Sequence, residues 1–340
     1  MAPLRPQQYQ SVIAAASEVR DELGLSDEQP VDVFDAIRRR GLWLVFQPMD
    51  QVLGVTLNHG SGGIMITTRR NPALQRFTAA HELGHWEMHG TEDMWDFDAD
   101  ITANPSAPKE LEANVFASNF LLPRRLLNRR LRDKHVGHDD PVTPKVAYEI
   151  SRDLGLSYTA TVNRIAEVRG LSAGVRRELL KVAPLDIKRD LLGGLEPKNS
   201  RAPVWNPAPE QIKDLVVDVG DEIVTTIPEN PSTGYQWIPS GQSKSVPDDS
   251  ASVIVVDSTF ENSNQREITA QSGVATGAPG IRRFHLKANA AGEWSQELSL
   301  RRPFEPPDKS IDVQVLSGRV KPSPEAVSSQ FNATPQVGTQ

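Results

Sequence analysis

The chain contains no cysteine. That absence excludes a disulfide framework, a thiol nucleophile and thiolate metal ligands, so any metal site must be built from His, Asp and Glu. Long hydrophobic runs are missing too, since nothing approaches the ~18 to 20 apolar residues that a membrane-spanning helix needs. The opening MAPLRPQQYQ has no apolar signal core, and a soluble cytoplasmic protein with no membrane partner is the expectation. Positive charge is in no excess: 37 Lys plus Arg stand against 44 Asp plus Glu, a net charge of -7. Such a chain has no global attraction to phosphate, which argues against direct DNA binding. Arg124, Arg125, Arg129, Arg130 and Arg132 form a local basic stretch that reads as a solvated face.

What is present is concentrated at His81, Glu82, Leu83, Gly84 and His85, an HExxH pattern. Histidines four apart lie one above the other on a helix face and can grip one metal ion with the Glu beside it. The surroundings support a helix, with Asn71 as its N-cap, Pro72 as its first residue and Gly90 ending it after His89. Leu74, Phe77, Thr78, His81, His85 and Met88 recur at helical spacing, placing both histidines on the core-facing stripe. The plainer reading, two core histidines satisfied by carbonyls, does not account for a Glu at this spacing. Gly84 in a helix interior costs about 1 kcal/mol relative to Ala and marks close approach by another element. His89 could be a ligand by spacing, but at the helix end it reads as structural.

A tetrahedral catalytic zinc needs a third protein ligand. The candidate is Glu112, in the run Lys109 to Pro123, KELEANVFASNFLLP, which reads as an amphipathic helix ended by proline. Glu112, Phe116, Asn119 and Phe120 share a face there, whereas Glu110 reads as solvated. Asp93, Asp96, Asp98 and Asp100 in the intervening loop are weaker rivals.

HELGHWEMH followed by ELEANVFASNFLLP resembles the ImmA/IrrE family of zinc-dependent endopeptidases over residues 10 to 175. The resemblance implies an α+β, zincin-like domain in which His81, His85 and Glu112 hold Zn2+ and Glu82 is the general base. It also implies a protein substrate, a helix-turn-helix repressor whose cleavage derepresses stress or mobile-element genes. Zinc on such a donor set brings the pKa of water toward about 7, and general base help is worth about 10²- to 10⁴-fold. Gly63 to Thr68 is the expected edge strand on which a peptide substrate could align. Residues 143 to 172, with a central Gly155, read as a helix-turn-helix-like pair, expected to be a packing subdomain.

With 340 residues, two domains are expected. The first spans residues 1–195. EPKNSRAPVWNPAPE reads as a Pro-rich linker, set at 196–207, and strand patterning then takes over. DLVVDV, EIVTTIP, SVIVVDSTF, IRRFHLKAN, EWSQELSLRRPF and SIDVQVLSG predict an all-β sandwich over 208–320, and 321–340 lack periodicity and are expected to be disordered.

Three loops carry the chemistry of this half: Asn230, Pro231, Ser232, Thr233, Gly234 and Tyr235; Gly277 to Gly280; and Arg302, Pro303 and Phe304. Ordinary turn chemistry also favours Pro and Gly at such places. In this order, with Trp237 and Phe284 as core aromatics, they resemble the chagasin family of cysteine-peptidase inhibitors. That resemblance implies an immunoglobulin-like sandwich whose three loops wedge into a papain-like cleft, by shape and with no reactive residue. The second loop is GAPG rather than more glycine-rich, and Phe304 stands where Trp is usual.

The combined expectation is a multidomain zinc metallo-endopeptidase whose sandwich captures a partner or substrate, inhibits a separate cysteine peptidase, or gates its own catalytic domain, in that order. The alternative is a protein-binding inhibitor of papain-like peptidases with the zinc domain as a scaffold or non-proteolytic regulator. A scaffold has no need of Glu82, which favours the enzyme.

Overall fold

The computed structural model describes residues 4–58, 60–90, 94–97 (backbone only), 108–240, 251–262 and 280–322. The chain forms two compact units that divide between Pro184 and Leu185.

The first unit is helical around a small mixed sheet. It runs α1 (Pro6–Glu22), α2 (Val33–Arg39), β1 (Trp43–Gln47), β2 (Val52–Leu57), β3 (Gly63–Thr67), α3 (Pro72–His89), β4 (Met94–Phe97), α4 (Pro108–Leu121), α5 (Arg124–Asp133), α6 (Pro144–Asp153), α7 (Tyr158–Arg169) and α8 (Ala173–Lys181). The strand order is β1-β3-β2-β4, with β1 parallel to β3 and the other pairs antiparallel. The expected edge strand is therefore central, and among the described residues β1 and β4 are the edges. The reason is legible in GIMIT: Ile64 and Ile66 are buried and the strand is apolar throughout, as suits a strand with a neighbour on each side.

Helix α3 begins and ends as its sequence predicts. The Asn71 side chain accepts from the Leu74 amide at 3.0 Å, Pro72 occupies the first turn, and the helix stops before Gly90. It packs on β2 and β3 on one side and on α4 on the other. Gly84 is where α4 comes closest: a Cβ added there would lie 3.0 Å from Phe116 Cδ1.

Helices α6 and α7 form the expected helix-turn-helix pair, with Thr143 and Ser157 capping them and Gly155 in the left-handed region at φ +61°. Tyr158, Thr161, Val162, Arg164, Ile165 and Ala166 of α7 are buried, so one side of this helix packs into the unit while Thr159 and Glu167 face solvent. Arg164 ties it to α4, donating to the Leu122 carbonyl at 2.9 Å and to Asn119 Oδ1 at 2.7 Å.

The second unit contains α9 (Pro184–Leu191), β5 (Val204–Trp205), β6 (Leu215–Asp218), β7 (Glu222–Glu229), β8 (Gln236–Pro239), β9 (Val253–Asn262), β10 (Gly280–Ala288), β11 (Gly292–Arg301) and β12 (Asp312–Lys321). These form two four-stranded sheets, β5-β7-β10-β9 and β6-β12-β11-β8. One core joins them: Ile223, Ile227, Phe284 and Leu286 from the first sheet meet Trp237, Trp294, Leu298 and Leu316 from the second. Alternation along each strand sends those residues inward.

Residues 196–207 are not a free linker. Val204 and Trp205 pair in parallel with Glu222 and Ile223 of β7, and Val204 is fully buried. Lys188 Nζ of α9 donates to the carbonyls of Ser200 and Ala202 at 2.8 and 2.7 Å, and the Asn199 amide donates to Glu222 Oε1 at 3.1 Å. The boundary expected at residue 195 thus moves back to 184, because polar and proline-rich residues strap α9 onto the sheet. Strand β12 runs to Lys321, and the rest of the expected tail lies outside the described residues. Among the described residues no helix is long and apolar enough to cross a membrane.

Candidate metal centre and loop cluster

Three side chains of the first unit converge: His81 and His85 from α3, and Glu110 from α4. One ligand atom from each lies within 4.8 Å of the others. His81 Nε2 is 3.0 Å from His85 Nε2 and 3.2 Å from Glu110 Oε2, and His85 Nε2 is 3.4 Å from Glu110 Oε1. All three residues are buried, with Glu110 6% exposed.

Asn114 Oδ1 lies 3.0 Å from His81 Nδ1, which assigns the ring hydrogen to Nδ1 and turns the Nε2 lone pair toward His85 and Glu110. A nitrogen lone pair and a carboxylate at this range repel unless a cation or proton lies among them. The donor set of two imidazoles and one carboxylate therefore fits a divalent cation of the zinc type. Glu110 and Asn114 are four apart on α4, so one helix face supplies both the third donor and the group that orients the first.

Glu112 is not part of this set. Two residues further along α4, its Oε2 lies 3.5 Å from His89 Nε2, one turn beyond His85 on α3, and not in the cluster. Burial, with His85 and Lys109 alongside, pushes the His89 imidazole below its usual range. Glu110, read from sequence as solvated, takes the place expected of Glu112. A Glu-x-x-x-Asn spacing was the available signal. Of the rival aspartates, Asp93, Asp98 and Asp100 fall outside the described residues, and Asp96 lies on β4.

Glu82, next on α3, points toward β2. Its Oε2 accepts from the Thr56 hydroxyl at 2.6 Å, and both residues are buried. Gly54, two residues earlier on β2, leaves the space that Glu82 fills, for a Cβ there would strike Glu82 Oε1 and Thr78 Cγ2. Neither Thr56 nor Gly54 carried any sequence signal of its own.

In the second unit the first and third loops meet. The Asn230 side chain accepts from the Ser232 amide at 3.2 Å and the Ser232 hydroxyl at 2.7 Å, Pro231–Thr233 make a single tight turn, and Gly234 takes φ +77°. The Arg302 guanidinium lies 5.0 Å from the Tyr235 ring centroid, a cation-π contact that joins the two loops. After Pro303, Phe304 projects with 81% of its surface exposed. Glu229 fixes the base of the first loop: it takes a two-pronged ion pair from Arg282, at 3.0 and 2.6 Å, and the Trp237 amide at 2.8 Å.

Gly277 lies outside the described residues. Gly280 is the first residue of β10, paired with Glu229 and Asn262, and is kept small by Glu261 and Phe260 across the pair, so its glycine serves the sheet and not a loop.

Residues 37–166 match the IrrE N-terminal-like domain of peptidase family M78. Residues 216–315 match the chagasin family peptidase inhibitor I42. Both resemblances read from the motifs are thereby borne out: one segment of the chain is similar to the M78 domain and another to the chagasin family. The M78 match spans the His81, His85 and Glu110 cluster, and the I42 match spans the first and third loops. Chagasin of Trypanosoma cruzi is 29% identical over 93 residues, 27% of this chain and 76% of chagasin. A cysteine protease inhibitor from Entamoeba histolytica, EhICP2, has a solved structure 20% identical, covering 36% of this chain and 98% of its own, with a TM-score of 0.26. The structure of PbICP-C in complex with falcipain-2 is 15% identical, covering 38% of this chain and 96% of its own, with a TM-score of 0.20.

Proposed function

We propose that the first unit is a zincin-like, zinc-dependent endopeptidase acting on a protein substrate, with His81, His85 and Glu110 as the metal ligands and Glu82 as the general base. The observation that carries this reading is the buried convergence of His81, His85 and Glu110, with Glu82, next to His81 along α3, held by Thr56. Zinc, when bound, supplies Lewis acidity toward a peptide carbonyl and acidifies water. The remaining work falls to the chain itself. Asn114 holds the His81 ring in the tautomer that presents Nε2. Glu82 takes the proton of the attacking water and later passes it to the leaving amine, help worth about 10²- to 10⁴-fold. An extended peptide adds to the edge strand β4, which pairs with the β2 strand that holds Glu82. A helix-turn-helix repressor is the substrate class implied by the ImmA/IrrE resemblance. The second unit, of immunoglobulin-like build, captures a protein with its loop end.

A second reading, inhibition of a papain-like cysteine peptidase by that same loop end, is favoured by the exposed Phe304 beside the Arg302–Tyr235 contact. Full chain and a Phe304→Ala variant titrated against papain decide it: submicromolar inhibition that weakens at least tenfold in the variant supports it, and none at 10 μM removes it.

The decisive experiment for the first reading is elemental analysis of purified wild type, Glu110→Ala and Glu112→Ala, with casein cleavage measured on wild type and Glu82→Gln. About one zinc per chain in wild type and Glu112→Ala, clear loss in Glu110→Ala, and cleavage abolished in Glu82→Gln with zinc retained is the expected result. A folded wild type that takes up no zinc when it is supplied would overturn the reading.

A further inference from the structure

We infer that Thr56 is the positioning residue that aims the Glu82 carboxylate, an inference that rests on the reading of Glu82 as the general base. Thr56 is the fifth of the six residues of β2, a strand in which Leu53, Val55 and Leu57 are apolar and where Val would keep its shape with at least equal strand preference. What Thr adds over Val is one hydroxyl. That hydroxyl is spent on Glu82, 2.6 Å from Oε2 and 3.1 Å from the main-chain carbonyl of the same residue. The single hydroxyl proton can serve either acceptor, and both clamp Glu82 to β2.

The opposite oxygen is controlled by shape. Residues two apart on a strand face the same way, so Gly54 and Thr56 present one surface to α3. Any side chain at Gly54 would collide with Glu82 Oε1 and with Thr78, one turn back along α3. The carboxylate is thus bracketed by a notch at Gly54 and a donor at Thr56, with Thr56 1% and Glu82 0% exposed. A hydrogen bond made in such a dry setting has no water to compete with it, and it selects one side-chain direction out of several. Thr56 is three-dimensionally adjacent and 26 positions distant, so its part is to orient Glu82 and not to touch the reacting atoms.

The test uses the full chain loaded with zinc, as wild type, Thr56→Val, Thr56→Ser and Glu82→Gln. Three quantities are read: zinc per chain, kcat and KM on a casein-derived fluorogenic peptide, and affinity for a leucyl hydroxamate, whose hydroxyl needs a correctly aimed Glu82 carboxylate. Thr56→Val is expected to keep its zinc and a cooperative melting transition. Its kcat falls about 10- to 100-fold at little-changed KM, and hydroxamate affinity weakens about tenfold. Thr56→Ser is expected to restore both. Should Thr56→Val lose its melting transition, Thr56→Ala removes the same hydroxyl with no added bulk. Wild-type kcat and hydroxamate affinity in a hydroxyl-free variant would overturn the inference, as would a Thr56→Ser variant as impaired as Thr56→Val. A zinc-loaded wild type that neither cleaves the peptide nor binds the hydroxamate would overturn the endopeptidase reading itself, and the inference with it.

Discussion

His81 and Asn114 meet through one hydrogen bond, and that contact decides which ring nitrogen faces Glu110. Replacing Asn114 with Ala leaves the three candidate ligands in place and removes the tautomer control. Zinc affinity, followed by competition with a chelator, is expected to fall about 10- to 100-fold in Asn114→Ala and to recover in Asn114→Asp. An unchanged affinity in Asn114→Ala would show that the ring is oriented by other contacts. The same scale explains why Glu110 was hard to choose from sequence. Glu110 and Glu112 occupy one helix, flanked by the same apolar residues, and only the angle at which α4 meets α3 separates them. Phe116 seated against Gly84 sets that approach and turns Glu110 inward.

The strap that leads into the second unit depends on a buried pair. Glu222 Oε2 lies 2.6 Å from the His285 ring nitrogen, while Oε1 takes the Asn199 amide. Burial alone would push this carboxyl up, but the His285 contact and the amides of Asn199 and Lys198 outweigh it and hold it below the usual range. The native state therefore releases this proton more readily than the unfolded chain, whose Glu titrates at about 4.3. The pair's stabilisation is fully present above that value and is lost as pH falls through the lower native one. Glu222→Gln is expected to cost about 1.5 to 3 kcal/mol at pH 7 and progressively less below pH 4, read from urea unfolding at both ends of that range. A cost independent of pH would mean that the carboxylate charge plays no part. Local element signals such as Asn71, Pro72 and Gly90 around α3 were legible because capping involves only neighbours along the chain. The central place of β3 was not, since strand order depends on partners far away in sequence.

At the scale of the molecule, the second unit begins at α9 and not after a proline-rich linker. Val204, Ala202 and Lys188 all belong to its folded body. A fragment of residues 184–322 is expected to melt about 5 to 15 °C above one of residues 208–322, since burial of a side chain such as Val204 is worth about 1.5 to 3 kcal/mol and each kcal/mol moves a domain of this size by several degrees. Equal melting temperatures would return residues 184–207 to the status of a tether. The proline-rich composition misled because it measures how the chain behaves alone, whereas a neighbouring strand edge at β7 can pair with it.

The sequence by itself determined the features that local spacing controls. HExxH places two imidazoles on one helix face, strand periodicity places Phe284 and Trp237 in a sheet core, and turn residues build the Asn230 to Tyr235 loop. Tertiary structure alone decided which carboxylate joins the histidines, which strand lies at the sheet edge, and what holds Glu82. Each of those depends on how two elements distant in sequence approach one another: α4 on α3 for Glu110, β2 on α3 for Thr56 and Gly54. Such approaches are set by the packing of Gly84 on Phe116 and of Gly54 on Glu82, contacts that leave no periodic trace in either segment read alone.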